Sequence, residues 1–217
     1  MNTTLEQAPE QTTVRDMLFG DLPLNQWAGV NAEGMPWNLF KQAKHSLDTG
    51  HPDEAIQALR AIVGTPALES RHYLQASHFL RQLGDLPPSP VKIYGMVVEV
   101  ALNGGVDLLA VYTDHTARYY NYAGGGVVLD QEDAEISTRI DDVIRYGYEI
   151  VPHIGPWEGE RPGAPANGYA RLNMLTSHGL YFGEAPQMTL FNDPLAGKTM
   201  YAMLNIMEAL INKSNGI

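Results

Sequence analysis

Residues 91–130 read VKIYGMVVEVALNGGVDLLAVYTDHTARYYNYAGGGVVLD, and this stretch decides the fold. It is dense in Val, Ile and Tyr, and it is broken at Asn103-Gly104-Gly105, Thr113-Asp114-His115 and Gly124-Gly125-Gly126. β-branched and aromatic side chains suit a pleated, packed surface, while Asn-Gly and Asp-His pairs suit reversals between strands. An antiparallel meander of three or four strands is predicted. Strict alternation in the first strand sets Tyr94, Met96, Val98, Val100 and Leu102 on one face and Val91, Ile93, Gly95, Val97 and Glu99 on the other. Both faces are largely apolar, which predicts a central strand covered on two sides.

Downstream, the acids Asp130, Glu132, Asp133 and Glu135 lead into a helix that aligns Ile136, Ile140, Val143 and Ile144 and is expected to stop at Gly147. Residues 152–168, PHIGPWEGERPGAPANG, cannot form regular structure. Residues 171–176 and 179–183 read as a hairpin across Ser177-His178, and a last helix over 195–211 buries Met200, Met203, Leu204, Met207, Leu210 and Ile211. The order of elements predicts an α+β fold, helices layered on an antiparallel sheet. In topology alone it resembles profilin-type and roadblock-type domains, a likeness that carries no function.

Upstream, residues 1–14 are polar and aperiodic and are expected to be a frayed, disordered tail. From Val14 to Pro36, the residues Met17, Leu18, Phe19, Leu22, Leu24, Trp27 and Val30 lie among Gly, Pro and Asn, which predicts an irregular strap packed on a surface. Helical spacing follows in three runs, 36–50, 52–64 and 67–83, closed by Gly50, Gly64-Thr65-Pro66 and Gly84. Gly50 and Gly84 are 34 residues apart, with Ala43 and Ser77 seven positions before each, and Ala55, Leu59, Ile62 and Pro66 follow Gly50. On these residues, 36–84 resembles about one and a half tetratricopeptide repeats, although the Trp and Tyr positions of that pattern are not cleanly met. So short a piece cannot bury its own apolar face and must lean on the sheet. The prolines of residues 85–90, DLPPSP, mark the boundary between a helical module with its strap, 15–86, and an α+β domain, 91–217.

The net charge of −11, with only 14 Lys and Arg in 217 residues, argues against a nucleic-acid surface and makes a basic partner the easier one to imagine. The absence of cysteine removes disulfides, thiol nucleophiles and thiolate metal sites. The N-terminus lacks the basic start and apolar run of an export signal, and no apolar stretch approaches the ~20 residues that span a bilayer. A soluble, cytoplasmic protein with no membrane partner is expected.

Several constellations invite chemistry. Gly197-Lys198-Thr199 looks like the tail of a phosphate loop, but the upstream glycine it needs is replaced by Asn192. Gly124-Gly125-Gly126 precedes an acidic run that would repel a phosphate, so a turn is the plain reading. The seven histidines, His45, His51, His72, His78, His115, His153 and His178, show none of the short spacings that put two ligands on one face, so no metal or other cofactor is expected. Ser177 and His178 are adjacent, which does not by itself aim an imidazole at a hydroxyl, and no catalytic residue stands out. Asp141 and Asp142 lie beyond the first helical turn, so they are the acids most suited to a partner.

The loop around HIGPWEGER, residues 153–161, is the least easily dismissed. Exposed Trp and Arg dominate binding hot spots, so Trp157 and Arg161, with Glu158 and His153, are candidate partner contacts, and Tyr120 on an aromatic strip could lie beside them. The competing reading makes Trp157 a plug over the sheet edge with Arg161 paired to an acid. The function expected is that of a non-catalytic interaction or adaptor protein, with self-association left open. The alternative is a small-molecule-binding or hydrolytic domain with a pocket under residues 152–168, using His153, Glu158 and Arg161.

Overall fold

The computed structural model describes residues 13–27, 33–87 and 90–214. The expected tail up to residue 12, Val30 of the strap, and Pro88 and Ser89 of the boundary lie outside the described residues. Six strands, β1 (Ile93–Leu102), β2 (Gly105–Tyr112), β3 (Ala117–Tyr120), β4 (Gly126–Leu129), β5 (Tyr169–Thr176) and β6 (Gly179–Pro186), form one antiparallel sheet in the order β4-β3-β2-β1-β5-β6. The Asn103-Gly104 reversal joins β1 to β2, with Gly104 at φ +114°, the positive φ that such a turn needs. Between β3 and β4 the three glycines form a turn, in which Asn121 Oδ1 accepts the N–H groups of Ala123 and Gly125. The third strand therefore ends at Tyr120, earlier than its tyrosines suggest.

β1 lies inside the sheet with both faces covered, and its alternation holds for Met96, Val97, Val98 and Val100, but Ile93 and Tyr94 lie on the faces opposite to those predicted. The register against β5 shifts between Ile93 and Gly95, so Ile93 joins Met96 and Val98 in one core while Tyr94 joins Val97 in the other. A bulge of this kind carries two successive residues to one side. Gly95 is required there, because a Cβ would stand 2.6 Å from the fully buried Tyr112 ring.

One face is covered by α6 (Ala134–Ile150) and α8 (Ala196–Ser214), with α7 (Gln187–Asn192) leading into α8. Asp133 caps α6 by accepting from Ile136 N at 3.1 Å. The helix does not stop at Gly147. It continues to Ile150, since this glycine serves close packing: a Cβ would meet Met96 Sδ at 2.7 Å and Ile93 Cδ1 at 3.1 Å. Gly197-Lys198-Thr199 occupies the first turn of α8, where Asp193 Oδ1 accepts from Leu195 N and Ala196 N. A carboxylate thus fills the place a phosphate would need, and Lys198 points outward to Glu149. Among the described residues no helix is long and apolar enough to cross a membrane.

The other face is covered by α1 (Val14–Phe19) and α5 (Ser70–Gln82), outside which lie α2 (Leu24–Trp27), α3 (Trp37–Asp48) and α4 (Pro52–Gly64). The strap is more regular than its composition suggests. Thr13 and Asp16 form a reciprocal capping box that starts α1, so Thr13 is the cap and Val14 the first residue of a helix, and neither belongs to a tail. α5 is buried on two sides. Ala76, Phe79 and Leu80 pack with Phe40, Leu59 and Ile62 of α3 and α4, while Leu74 and Tyr73 pack against Tyr94 and Tyr112 of the sheet. Each such large apolar side chain removed from water contributes about 1.5–3 kcal/mol.

The sheet also caps α5. Asp114, in the turn after β2, accepts from Ser70 N at 2.6 Å, and Ser70 Oγ lies 2.9 Å from Thr113 Oγ1. One first-turn N–H of a helix in one layer is thereby satisfied by a turn of the other, which helps fix how the two dock. Asp114→Ala should lower stability by roughly 1–2 kcal/mol, the usual loss for a helix cap; urea unfolding followed by circular dichroism will measure it, and an unchanged midpoint would remove Asp114 from the docking contact.

Candidate functional site

Where the helical layer meets the end of the β5–β6 hairpin, the two surfaces leave an open cleft of about 1030 Å³. One wall is α1 and the strap that follows it, through Asp16, Phe19, Leu22 and Pro23. The strap turns at Gly20, whose φ is +64° and whose absent Cβ would meet Leu74 Cβ at 2.7 Å. α5 supplies Leu74, His78, Arg81 and Gln82, the hairpin supplies Leu175, Thr176 and His178 to Leu180, and the segment Trp157 to Arg161 crosses the mouth. A smaller hollow of about 250 Å³ shares Asp21, Pro23, His78 and Gln82 with it and leads on toward Leu47 and Leu83. The two together form a groove that suits an extended occupant.

Two ion-pair clusters hold the walls. Glu99, in the middle of β1, is 0% exposed, and its carboxylate accepts from Arg15 Nε of α1 at 2.5 Å, from Arg171 Nη1 of β5 at 3.2 Å and from Asn173 Nδ2 at 3.2 Å. Arg171, 4% exposed, also binds Glu184 of β6 and the Gly163 carbonyl, while Arg15 reaches the Pro162 carbonyl at 2.8 Å. The second cluster is Arg161, whose Nε donates to Asp21 Oδ2 at 2.7 Å and whose Nη2 donates to Asp16 Oδ1 at 2.6 Å, with the guanidinium over the Phe19 ring. Burial works against ionisation of Asp16, but the hydrogen bonds from Thr13 and Arg161 outweigh it and hold its carboxyl below the ordinary 3.8.

His78, Arg81 and His178 line the cleft together. Burial, with the Arg81 charge adding to it, pushes His78 down from 6.5 to about 4. Arg81 Nη1 donates to the Ser177 carbonyl at 3.0 Å. His178 lies beside it, and its Nδ1 is 2.9 Å from Ser177 Oγ. The adjacent hydroxyl and imidazole do meet, then, contrary to the expectation from sequence. Ser177 is nevertheless buried, does not line the cleft, and its Oγ also accepts from Lys92 N at 3.0 Å. The pair orients His178 within a tight turn.

The residues singled out from sequence are not gathered into one place. Trp157 and Arg161 reach the cleft, whereas Glu158 and His153 are exposed and line no part of it. Trp157 satisfies both readings in part. Its backbone N–H donates to Leu180 O of the edge strand at 2.6 Å and its ring tilts against Phe182 at 5.1 Å, yet 47% of the residue stays exposed at the rim. Arg161 is tied to Asp21 and Asp16, the pairing to an acid that the competing reading expects, and it lines the cleft as well. Tyr120 lies on β3, four strands from β6, and does not line the cleft. Asp141 and Asp142 lie on α6, across the sheet from the cleft; Asp141 is 3.0 Å from His115 Nε2 and Asp142 accepts from Arg145 at 2.7 Å.

Sequence reasoning missed His78, Arg81 and His178 as neighbours, and it missed Glu99. Two signals were present. Arg81 follows His78 by three residues on one helical face, and Glu99 and Arg171 are each a lone charge in a largely apolar strand.

Glu99→Gln removes the charge that both Arg15 and Arg171 share, and breaking a buried pair in this way costs about 3–5 kcal/mol. The loss should appear as a lower urea midpoint together with faster proteolysis within residues 154–168; an unperturbed variant would show that the walls are held otherwise. A second test uses acid. The unfolded chain binds a proton on His78 between 6.5 and about 4 that the native chain refuses, so stability should fall as pH drops through that window. His78→Gln should flatten the fall in urea midpoint, leaving the part due to His72, which burial among Trp27, Trp37 and Phe40 also lowers. Set against known proteins, the chain matches no family model, no curated protein and no solved structure, so the geometry of the cleft carries the functional reading.

Proposed function

We propose that this protein is a non-catalytic interaction protein that holds an extended segment of a partner protein in the cleft between its helical layer and its sheet. One observation carries the reading: the groove is walled by both layers, runs on into the hollow at Leu47 and Leu83, and presents a half-exposed Trp157 at its rim. A large aromatic beside a lined groove is the usual anchor of such an interface. The tetratricopeptide-like pair α3 and α4 acts as scaffold, keeping α5 in place as the shared wall. The alternative, a small-molecule or hydrolytic pocket beneath residues 152–168, requires His153 and Glu158 to converge there, and both side chains are exposed outside the cleft. An acidic surface for a basic partner would be a separate site on α6, where Asp141 and Asp142 already have partners.

Trp157→Ala removes the anchor, and Gln82→Trp fills the groove from an exposed position on α5. Each should abolish capture of the partner from cell lysate while shifting the thermal midpoint by no more than about 2–4 °C, the equivalent of ~1 kcal/mol for a chain of this size. Undiminished capture by both variants, or a loss that tracks unfolding, would sink the proposal.

A further inference from the structure

Arg81 differs from the other guanidinium at this cleft. Arg161 spends its Nε and Nη2 on Asp21 and Asp16. Arg60, elsewhere on the surface, uses the same edge on Asp85, with Nε at 2.8 Å and Nη2 at 2.6 Å. Arg81 has no carboxylate within ion-pair distance among the described residues, and its single hydrogen bond there, Nη1 to Ser177 O, leaves the Nε and Nη2 edge without an acceptor. That edge is the one that takes a carboxylate through two parallel bonds.

The surroundings keep it open to a ligand. Asp21 acts on Arg81 only from a distance, because Arg161 Nε and Nη2 already hold its two oxygens at 2.7 and 3.4 Å. Glycine occupies position 179 beside the guanidinium: a Cβ there would stand 3.7 Å from Nε, 3.9 Å from Cζ and 4.0 Å from Nη2, so position 179 itself puts no side chain against that edge. His78 and His178 line the cleft beside it. Glu160 is the other carboxylate of the lining, and it is exposed at the mouth with its carbonyl held by Trp157 Nε1. A partly buried cation whose bidentate edge has no acid is costly unless something supplies one.

We propose that Arg81 is the specificity residue of the groove and reads a carboxylate on the bound segment, so that the partner presents an Asp or Glu side chain to the part of the groove lined by His78, Arg81 and His178. This rests on the groove being the partner site. The charge of the ligand at this point is therefore opposite to that expected from the acidic balance of the whole chain, because a short, desolvated, two-bond pair outweighs the screened field of distant surface acids.

The test selects binders from a phage-displayed library of random peptides on the intact protein, counting those lost to Gln82→Trp and Trp157→Ala as groove ligands. Groove ligands should carry Asp or Glu at one fixed position. Arg81→Gln should weaken the best of them about ten- to hundred-fold, the usual weight of a charge-assisted hydrogen bond. With the peptide's acid changed to its amide, Arg81→Gln should cause no further loss, which isolates the pair. Arg81→Lys, which keeps the charge but not the fork, should fall between and serves if the Gln variant unfolds. Groove ligands with no acidic preference, or with losses that merely add, would overturn the carboxylate assignment while leaving the groove as the partner site. Peptides indifferent to Gln82→Trp and Trp157→Ala, or no enriched peptides, would overturn both.

Discussion

The carboxylate of Glu99 is the constraint on which the rest depends. It is buried in the middle of β1, and a lone charge there would be prohibitive. It is stabilised because Arg15 comes from α1, Arg171 from β5 and Asn173 from the same strand, each with a hydrogen bond directed at it. Arg171 then carries the link to Glu184 on β6 and to the Gly163 carbonyl, and Arg15 carries it to the Pro162 carbonyl. One charge thereby ties together three strands, the first helix and the irregular segment. Hydrophobic burial favours association of these parts without specifying register, whereas directed bonds to a buried charge do specify it. Replacing the whole network by apolar groups of similar shape could leave stability unchanged; removing one member leaves its partner exposed to the low dielectric.

The cleft follows from that arrangement. α5 has apolar residues on two sides, so it is shared between the α3–α4 pair and the sheet, and Asp114 caps its first turn from the sheet side. In its C-terminal turns Phe79 and Leu80 still pack against α3 and α4, while His78, Arg81 and Gln82 line the cleft beside the end of the β5–β6 hairpin. α1 cannot fill the gap, because Arg15 and the Arg161 pairs hold it against the sheet. Residues 157–161 cannot close it, because Trp157 is fastened to the outer edge of β6. An open groove between two rigid layers remains, and its position is set by the same contacts that stabilise the fold.

Charge is distributed unevenly over this frame. The acids that dominate the composition lie mostly on outer surfaces such as α6, where they pair with Arg139, Arg145 or His115 or meet water. Within the groove the acids Asp16 and Asp21 are consumed by Arg161, and Glu160 is exposed at the mouth. Net charge sets solubility and long-range encounter, but the local pairing decides what a groove recognises at contact.

Much of the architecture was legible in the sequence. Alternation and turn residues marked the meander, the Asn103-Gly104 reversal and the β5–β6 hairpin, and helical periodicity marked α3, α4, α6 and α8, because secondary structure is written in local spacing. The α+β layering followed from their order. The bulge after Ile93 was not legible, nor was the role of Gly147 as a packing contact, because each depends on an atom from a distant strand or helix. The same holds for the site. Trp157 could be suspected from its setting in a proline- and glycine-rich loop, and Arg161 with it, but the acids that hold Arg161, Asp16 and Asp21, are 145 and 140 positions away. Arg81 looked like one more helical surface charge. Only the folded chain decides which of two arginines keeps an open edge, since pairing is a matter of distance between side chains, and that distance is set by tertiary packing.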